Sequence, residues 1–317
     1  MTALTLEHYV RRYLDWLPSK HYSMQTVRHR GEVLEYFLIW CRERALCYHT
    51  EITLPLLERY QRHLFLYRKQ DGEPLATRTQ WHRLSCIRLL FRWMVKQGYA
   101  EHNPAADLEM PKIDRRLPRE ILTEKEAELI LAVPDTSAPY GIRDRAILET
   151  FYSTGVRRSE LISLSLRDID DGRGTLMVRG GKGKKDRLIP ISERALEWVV
   201  AYRDKIRPRV DPQEQRLFLN NKGKPFSVRQ ISDLVRERIE SANIGKTGSC
   251  HLFRHTMATL MLEHGADIRY VQEMLGHSSI ETTQIYTKVT ITKLKEVHTK
   301  THPGKAIQAK ADTLKEE

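Results

Sequence analysis

Thr175-Leu176-Met177-Val178-Arg179-Gly180-Gly181-Lys182-Gly183-Lys184-Lys185-Asp186-Arg187-Leu188-Ile189-Pro190-Ile191 is the stretch of the chain that reads as β structure. Residues 176–178 and 188–191 are short apolar runs, and Gly180-Gly181-Lys182-Gly183 between them is a turn. The segment therefore predicts a hairpin with lysine at its tip. That tip has neither the GK[ST] ending of a Walker loop nor the GxGxxG spacing of a dinucleotide fold, so it is not a nucleotide site by spacing. A basic hairpin can instead reach a DNA groove and deliver an ammonium to a phosphodiester.

On both sides of this stretch the pattern is helical. Residues 6–13, 26–40, 54–67 and 77–96 carry apolar periodicity without strand alternation, which predicts an all-α N-terminal half. The last of these helices bears Arg78, His82, Arg83, Arg88 and Arg92 under apolar cover from Trp81, Leu84, Leu89, Leu90, Phe91 and Trp93. A basic helix is most often a solvated face. The charge of the whole chain nevertheless makes Arg78, Arg83 and Arg88 candidates for phosphate contact. Residues 111–120, with Pro111, Lys112, Asp114 and Pro118, have the composition of a linker. Beyond it Thr123 and Glu126 form a capping box, and helical patterns follow at 142–154, 193–206, 228–242, 252–263, 268–274 and 280–289. Residues 293–317 are too polar to fold alone. The predicted fold is mostly α with a small β-hairpin or sheet, in two domains at 1–110 and 121–291, joined by a linker at 111–120 and followed by a tail at 292–317.

Composition narrows the function. Across 317 residues, 40% are hydrophobic and 30% charged, and the most apolar stretch, 87–95, already contains Arg88 and Arg92. No run approaches the roughly 18 apolar residues of a membrane span. Glu7, His8, Arg11 and Arg12 interrupt any signal-peptide core, so a cytoplasmic protein is expected. The four cysteines lack CxxC spacing, which argues against a disulfide framework and a zinc ribbon. The net charge of +12 predicts a polyanionic partner. Basic residues outnumber acidic ones by 17 to 12 in 1–112, 30 to 25 in 113–292 and 6 to 4 in 293–317, so both domains are expected to meet nucleic acid.

Several local motifs could carry chemistry. His251 and Arg254 lie three apart, which on a helix places them on one face, with Ala258 as a small neighbour and Phe253, Met257, Leu260 and Met261 opposite. A guanidinium fork beside a small residue suits a phosphate. His251 and His255 also have the i, i+4 spacing of a zinc-protease helix, but Leu252 stands where that motif needs a glutamate. Thr154-Gly155-Val156-Arg157-Arg158-Ser159-Glu160-Leu161 breaks one helix and presents two arginines at the start of the next, a position that favours anions. Taken alone, Arg157 reads better as a surface ion pair with Glu160 or Glu149. Leu275-Gly276-His277-Ser278 is an elbow with a second capping box to Glu281, and Tyr286 falls on an apolar stripe where a tyrosine is ordinarily core.

Together, Arg157 in TGxRxSEL, Lys182 in GKGxKxR, His251 and Arg254 in HxxRH, His277 in LGH, and Tyr286 nine residues later resemble, in order and spacing, the signature of the tyrosine recombinases, the phage integrase family. The resemblance covers about residues 120–290, and the layout is most similar to the XerC/XerD-like branch. Phe253 departs from the leucine usual in HxLRH, a conservative core change.

The resemblance implies a helical, SAM-like core-binding domain and an α+β catalytic domain closing as a clamp on double-stranded DNA. It implies Tyr286 as nucleophile, with Arg157, Lys182, His251, Arg254 and His277 as its catalytic partners. Lys184, Lys185 and Arg187 join Arg78, Arg83 and Arg88 as expected DNA contacts. Cutting and rejoining would pass through a 3′-phosphotyrosine without cofactor or metal, in a homotetramer holding two recombination sites, with or without a second recombinase. The tail at 292–317 would dock onto a neighbouring protomer. Two other classes stay open on the residues alone: a DNA-binding module that no longer cuts, and a metal-dependent hydrolase built on His251 and His255.

Overall fold

The computed structural model describes residues 4–113, 121–180, 186–211 and 213–276. The chain divides into two compact units, Met1–Arg115 and Arg116–Glu317.

The first unit is built on α1 (Leu6–Ser19), α2 (Met24–Arg42), α3 (Leu54–Leu66) and α4 (Thr77–Lys96). Thr5 and Ser23 cap α1 and α2 by accepting from the amides of His8 and Thr26, which satisfies donors a helix start leaves open. α1, α2 and α3 all pack on α4. Leu17, Leu34, Leu57, Leu84, Leu90 and Met94 are fully buried between them, the apolar stripes that the sequence periodicity predicts. A further contact ties the end of the unit to α4. Arg88 donates from Nε to the Ala105 carbonyl at 2.8 Å and from Nη2 to the Leu108 carbonyl at 2.5 Å. The half-buried Arg88 guanidinium thus supplies donors to a segment that has no ladder of its own.

The second unit is built on α5 (Glu124–Ala132), α6 (Pro139–Thr154), α7 (Arg158–Ser163), α8 (Glu193–Ala201), α9 (Arg207–Val210), α10 (Val228–Ser241), α11 (Cys250–Glu263) and α12 (Ile268–Leu275). It also holds a three-stranded antiparallel sheet of β1 (Ile169–Asp170), β2 (Thr175–Val178) and β3 (Arg187–Pro190), in that order. The capping box of Thr123 and Glu126 opens α5 as its spacing predicts. The hairpin pairs Leu176 with Ile189 and Val178 with Arg187. Leu176, Val178 and Ile189 face the core while Leu188 is exposed, the alternation a half-buried sheet requires. Two features exceed the sequence reading. The hairpin gains a third, two-residue strand, and the helix expected to end at 206 passes through a π-turn at Tyr202–Ile206 into α9.

α6 is the central helix, packed against α5, α8 and α11. Ala146, Ile147, Leu148 and Phe151 on it are fully buried. It ends at Gly155, whose φ of 59° is left-handed and whose added Cβ would lie 2.2 Å from Met257 Cε. The left-handed backbone favours glycine there, and any other residue would also push the Met257 methyl aside. Among the described residues no helix is long and apolar enough to cross a membrane.

Candidate active site

Three guanidiniums from three separated segments converge on the end of α12. Arg187 on β3 donates from Nε to the Met274 carbonyl at 2.9 Å. Arg254 on α11 donates from Nη2 to the Leu275 carbonyl at 2.6 Å and from Nη1 to the Gly155 carbonyl at 2.5 Å. Arg157, the residue before α7, donates from Nη2 to the Gly276 carbonyl at 3.1 Å. A helix C-terminus leaves carbonyls without intrahelical partners and carries partial negative charge, so three cations placed there satisfy the orphans and complement the dipole. Gly276 permits the approach. It closes α12 at φ 61°, and a Cβ on it would meet Arg187 Nη1 at 3.1 Å.

Glu160 lies at the centre of the cluster and is 4% exposed. Its Oε1 accepts from Arg157 Nη1 at 2.7 Å and Arg187 Nη1 at 2.9 Å, and its Oε2 from the Arg157 amide and Arg187 Nη2, both at 2.8 Å. Burial works against the charged form, but the hydrogen bonds and charges of Arg187 and Arg157 prevail and hold the carboxyl down at about 2. The ion pair expected of Arg157 and Glu160 is present, although it is a buried and shared one rather than a surface pair. Arg187 has all three guanidinium nitrogens engaged and a side chain 11% exposed. In this arrangement its guanidinium faces the Glu160 carboxylate and the end of α12.

Arg254 is buried and His251, three residues earlier in the first turn of α11, reaches solvent. Desolvation and the positive charges of Arg158, Arg254 and Arg157 lower the His251 pKa and favour the neutral imidazole. Arg158 is held by its Nη1 donating to Ser232 Oγ at 3.1 Å. Ala258 is fully buried rather than part of an open polar face, since α11 is enclosed on nearly all sides, with Thr256 and Thr259 buried as well. His255 falls further, to about 4, through burial and the charges of His251 and Arg254. Among the described residues no group of three or more His, Cys, Asp or Glu is placed to hold a metal ion.

Arg157 and Arg254 therefore meet at the end of α12, and His251 lies within reach of their charges. Lys182, Lys184, Lys185, His277 and Tyr286 lie outside the described residues. Arg78 is exposed and Arg83 is half-buried on α4, the latter 4.0 Å over the Tyr36 ring. Sequence reasoning missed the part played by Glu160. Its signal was the i, i+3 spacing to Arg157; burial and the second arginine, 27 positions away, come only with the fold.

The comparisons with known proteins give the family. Residues 120–293 match the phage integrase family and residues 5–111 the phage integrase SAM-like domain. The chain belongs to the phage integrase family. It is 43% identical over 306 residues to the tyrosine recombinase XerC 2 of Ralstonia nicotianae, covering 96% of this chain and 88% of the relative. To the tyrosine recombinase XerD of Staphylococcus aureus it is 40% identical over 222 residues, covering 69% and 75%. This recombinase also matches the crystal structure of XerA recombinase, with 29% identity, coverage of 93% and 98%, and a TM-score of 0.53. It shares its fold with XerH recombinase in a post-cleavage complex with difH substrate, with 23% identity, coverage of 87% and 79%, and a TM-score of 0.72. The two-domain tyrosine recombinase architecture expected from the sequence is the one found, and the protein is a site-specific DNA recombinase of the XerC/XerD-like kind.

Proposed function

We propose that Arg157 and Arg254 bind the non-bridging oxygens of a scissile DNA phosphate, and that Tyr286 attacks its phosphorus. A tyrosine hydroxyl, with an ordinary pKa of about 10, must lose its proton as it attacks at neutral pH, and a strongly positive site favours that loss. His251, whose setting favours the neutral imidazole, is the acceptor for that proton. Lys182 protonates the departing 5′-oxygen and His277 donates a hydrogen bond to the phosphate. The result is a 3′-phosphotyrosine and a free 5′-hydroxyl. A hydroxyl from another strand reverses the step with no external energy source, and exchange of partners is recombination.

The observation that supports this most is the convergence of Arg157 and Arg254 on the last described turn of the chain, immediately before His277. Guanidiniums fixed in advance by carbonyls need no reorganisation when charge develops on the phosphate. Two donors of Arg157 are used in fixing it, out of the five that a guanidinium carries. Supporting structures for the assembly include a lambda integrase tetramer bound to a Holliday junction, which has the same fold at 20% identity. By that likeness this chain acts on two duplex sites as a tetramer in the cytoplasm. Residues 1–110 and the catalytic domain at 121–291 both bind DNA, residues 111–120 link the two, and the tail at 292–317 docks on a neighbour.

The test is adduct formation. Incubated in EDTA with labelled duplexes from the region flanking its own gene and then treated with SDS, the wild-type chain is expected to carry DNA covalently, and Tyr286→Phe to carry none. An adduct that persists in Tyr286→Phe would overturn the assignment.

A further inference from the structure

Arg187 enters the site without any part in the mechanism above. It forms a two-pronged pair with Glu160, donates its third nitrogen to the Met274 carbonyl, and packs against Gly276, where an added Cβ would lie 3.1 Å from Nη1. Glu160 in turn takes two hydrogen bonds from Arg157, one from its backbone amide and one from its guanidinium. Every direction in which the carboxylate can accept is thus filled, half by Arg157 and half by Arg187. The charge balance follows from the geometry. Two guanidiniums around one carboxylate leave one net positive charge in a desolvated site. Without Arg187 the remaining pair is neutral, and the carboxylate stands half-satisfied beside the position an anion would occupy.

We propose that Arg187 is a positioning residue for the recombination chemistry: by sharing the Glu160 carboxylate, it leaves the charge of Arg157 available to the scissile phosphate while holding that guanidinium at the end of α12. The proposal rests on the reading of Arg157 as a phosphate ligand. It concerns the chemical step and not DNA affinity, because Arg187 faces inward. The charged groups on Glu160 are Arg157 from its own turn and Arg187 from β3, whereas α12 faces the cluster with backbone carbonyls.

The experiment is single-turnover formation of the SDS-stable adduct by the full chain, at saturating DNA, on a nicked form of whichever flanking duplex traps the wild type. Arg187→Met is expected to slow the adduct roughly 100-fold, the scale of losing one preorganised electrostatic group, with DNA affinity little changed. Arg187→Lys, which keeps the charge but not the fork, is expected to fall between Arg187→Met and wild type. Adding Glu160→Gln to Arg187→Met removes the uncompensated carboxylate and is expected to restore about a tenfold share of the loss. The ratio of Arg187→Met to wild type should also rise as pH falls from about 8 to about 5, since Glu160 deprived of Arg187 regains a proton more easily.

A double variant no faster than Arg187→Met, or a ratio flat in pH, would assign Arg187 a structural role only and overturn the proposal. So would loss of DNA affinity in parallel with rate. Should Arg187→Met fail to fold, the pH ratio of the equally uncharged Arg187→Gln decides. A wild-type adduct with Arg187→Met at full rate refutes this proposal alone, whereas no wild-type adduct, or one that survives Tyr286→Phe, refutes the site reading beneath it.

Discussion

The arginines of α4 in the first unit and those around α12 in the second are the same residue put to different uses. On α4 they diverge: Arg88 holds the end of its own unit, Arg83 lies over Tyr36, and Arg78 is exposed. Around α12, Arg157, Arg187 and Arg254 come from positions up to 97 residues apart and meet at three successive carbonyls. An exposed arginine such as Arg78 adds to a diffuse field, which serves affinity along a phosphate backbone. Arginines fixed from separate elements make a point of defined geometry, which serves chemistry at one phosphate.

The largest expected effect lies in the converging set. Arg254→Ala leaves the Gly155 and Leu275 carbonyls without this donor in a buried site, so it should lower adduct formation by about three orders of magnitude and stability by about 2–4 kcal/mol. Single-turnover kinetics and urea denaturation read the two losses separately.

Next is the acid limit set by Glu160. Its carboxyl lies lower in the folded chain than the ordinary 4.5, at about 2. Its contribution is therefore complete above the unfolded value and is lost as pH falls from about 4.5 to about 2. By linkage it amounts to about 3 kcal/mol. The difference in unfolding free energy between wild type and Glu160→Gln should shrink across that window. A difference constant from neutral pH down to about 2 would mean that the carboxylate is not held by its arginines.

The smallest effects separate members of the diverging set. Arg88→Ala should cost the first unit about 1–3 kcal/mol, because two carbonyls lose a charged donor, and should leave the salt dependence of DNA binding unchanged. Arg78→Ala should do the reverse, with little change in stability and a reduction of about one in the slope of log affinity against log salt.

Much of this was legible in the sequence, for identifiable reasons. Apolar periodicity gave the four long helices of the first unit, and a two-residue period with a glycine turn gave the β2–β3 pair. The spacing of Arg157, His251 and Arg254 within their motifs marked the site. Strand β1 was not legible, since two residues carry no period. Ala258 was misread because spacing assigns faces without saying that a helix is enclosed on all sides. The intramolecular partners of Arg187 and Arg88 were not legible for a common reason. A basic residue looks the same in sequence whether its guanidinium meets solvent, a carboxylate or a row of carbonyls, and only tertiary contacts distinguish these.

The most direct test of the division between the two sets is the rate of adduct formation at saturating DNA by Arg254→Lys and Arg78→Ala. Saturation removes any deficit of affinity and leaves any deficit of chemistry. Arg254→Lys should stay far below wild type, because an ammonium cannot replace the fork held between two carbonyls, while Arg78→Ala should reach the wild-type rate. Recovery of Arg254→Lys at high DNA, or a persistent deficit in Arg78→Ala, would contradict the account.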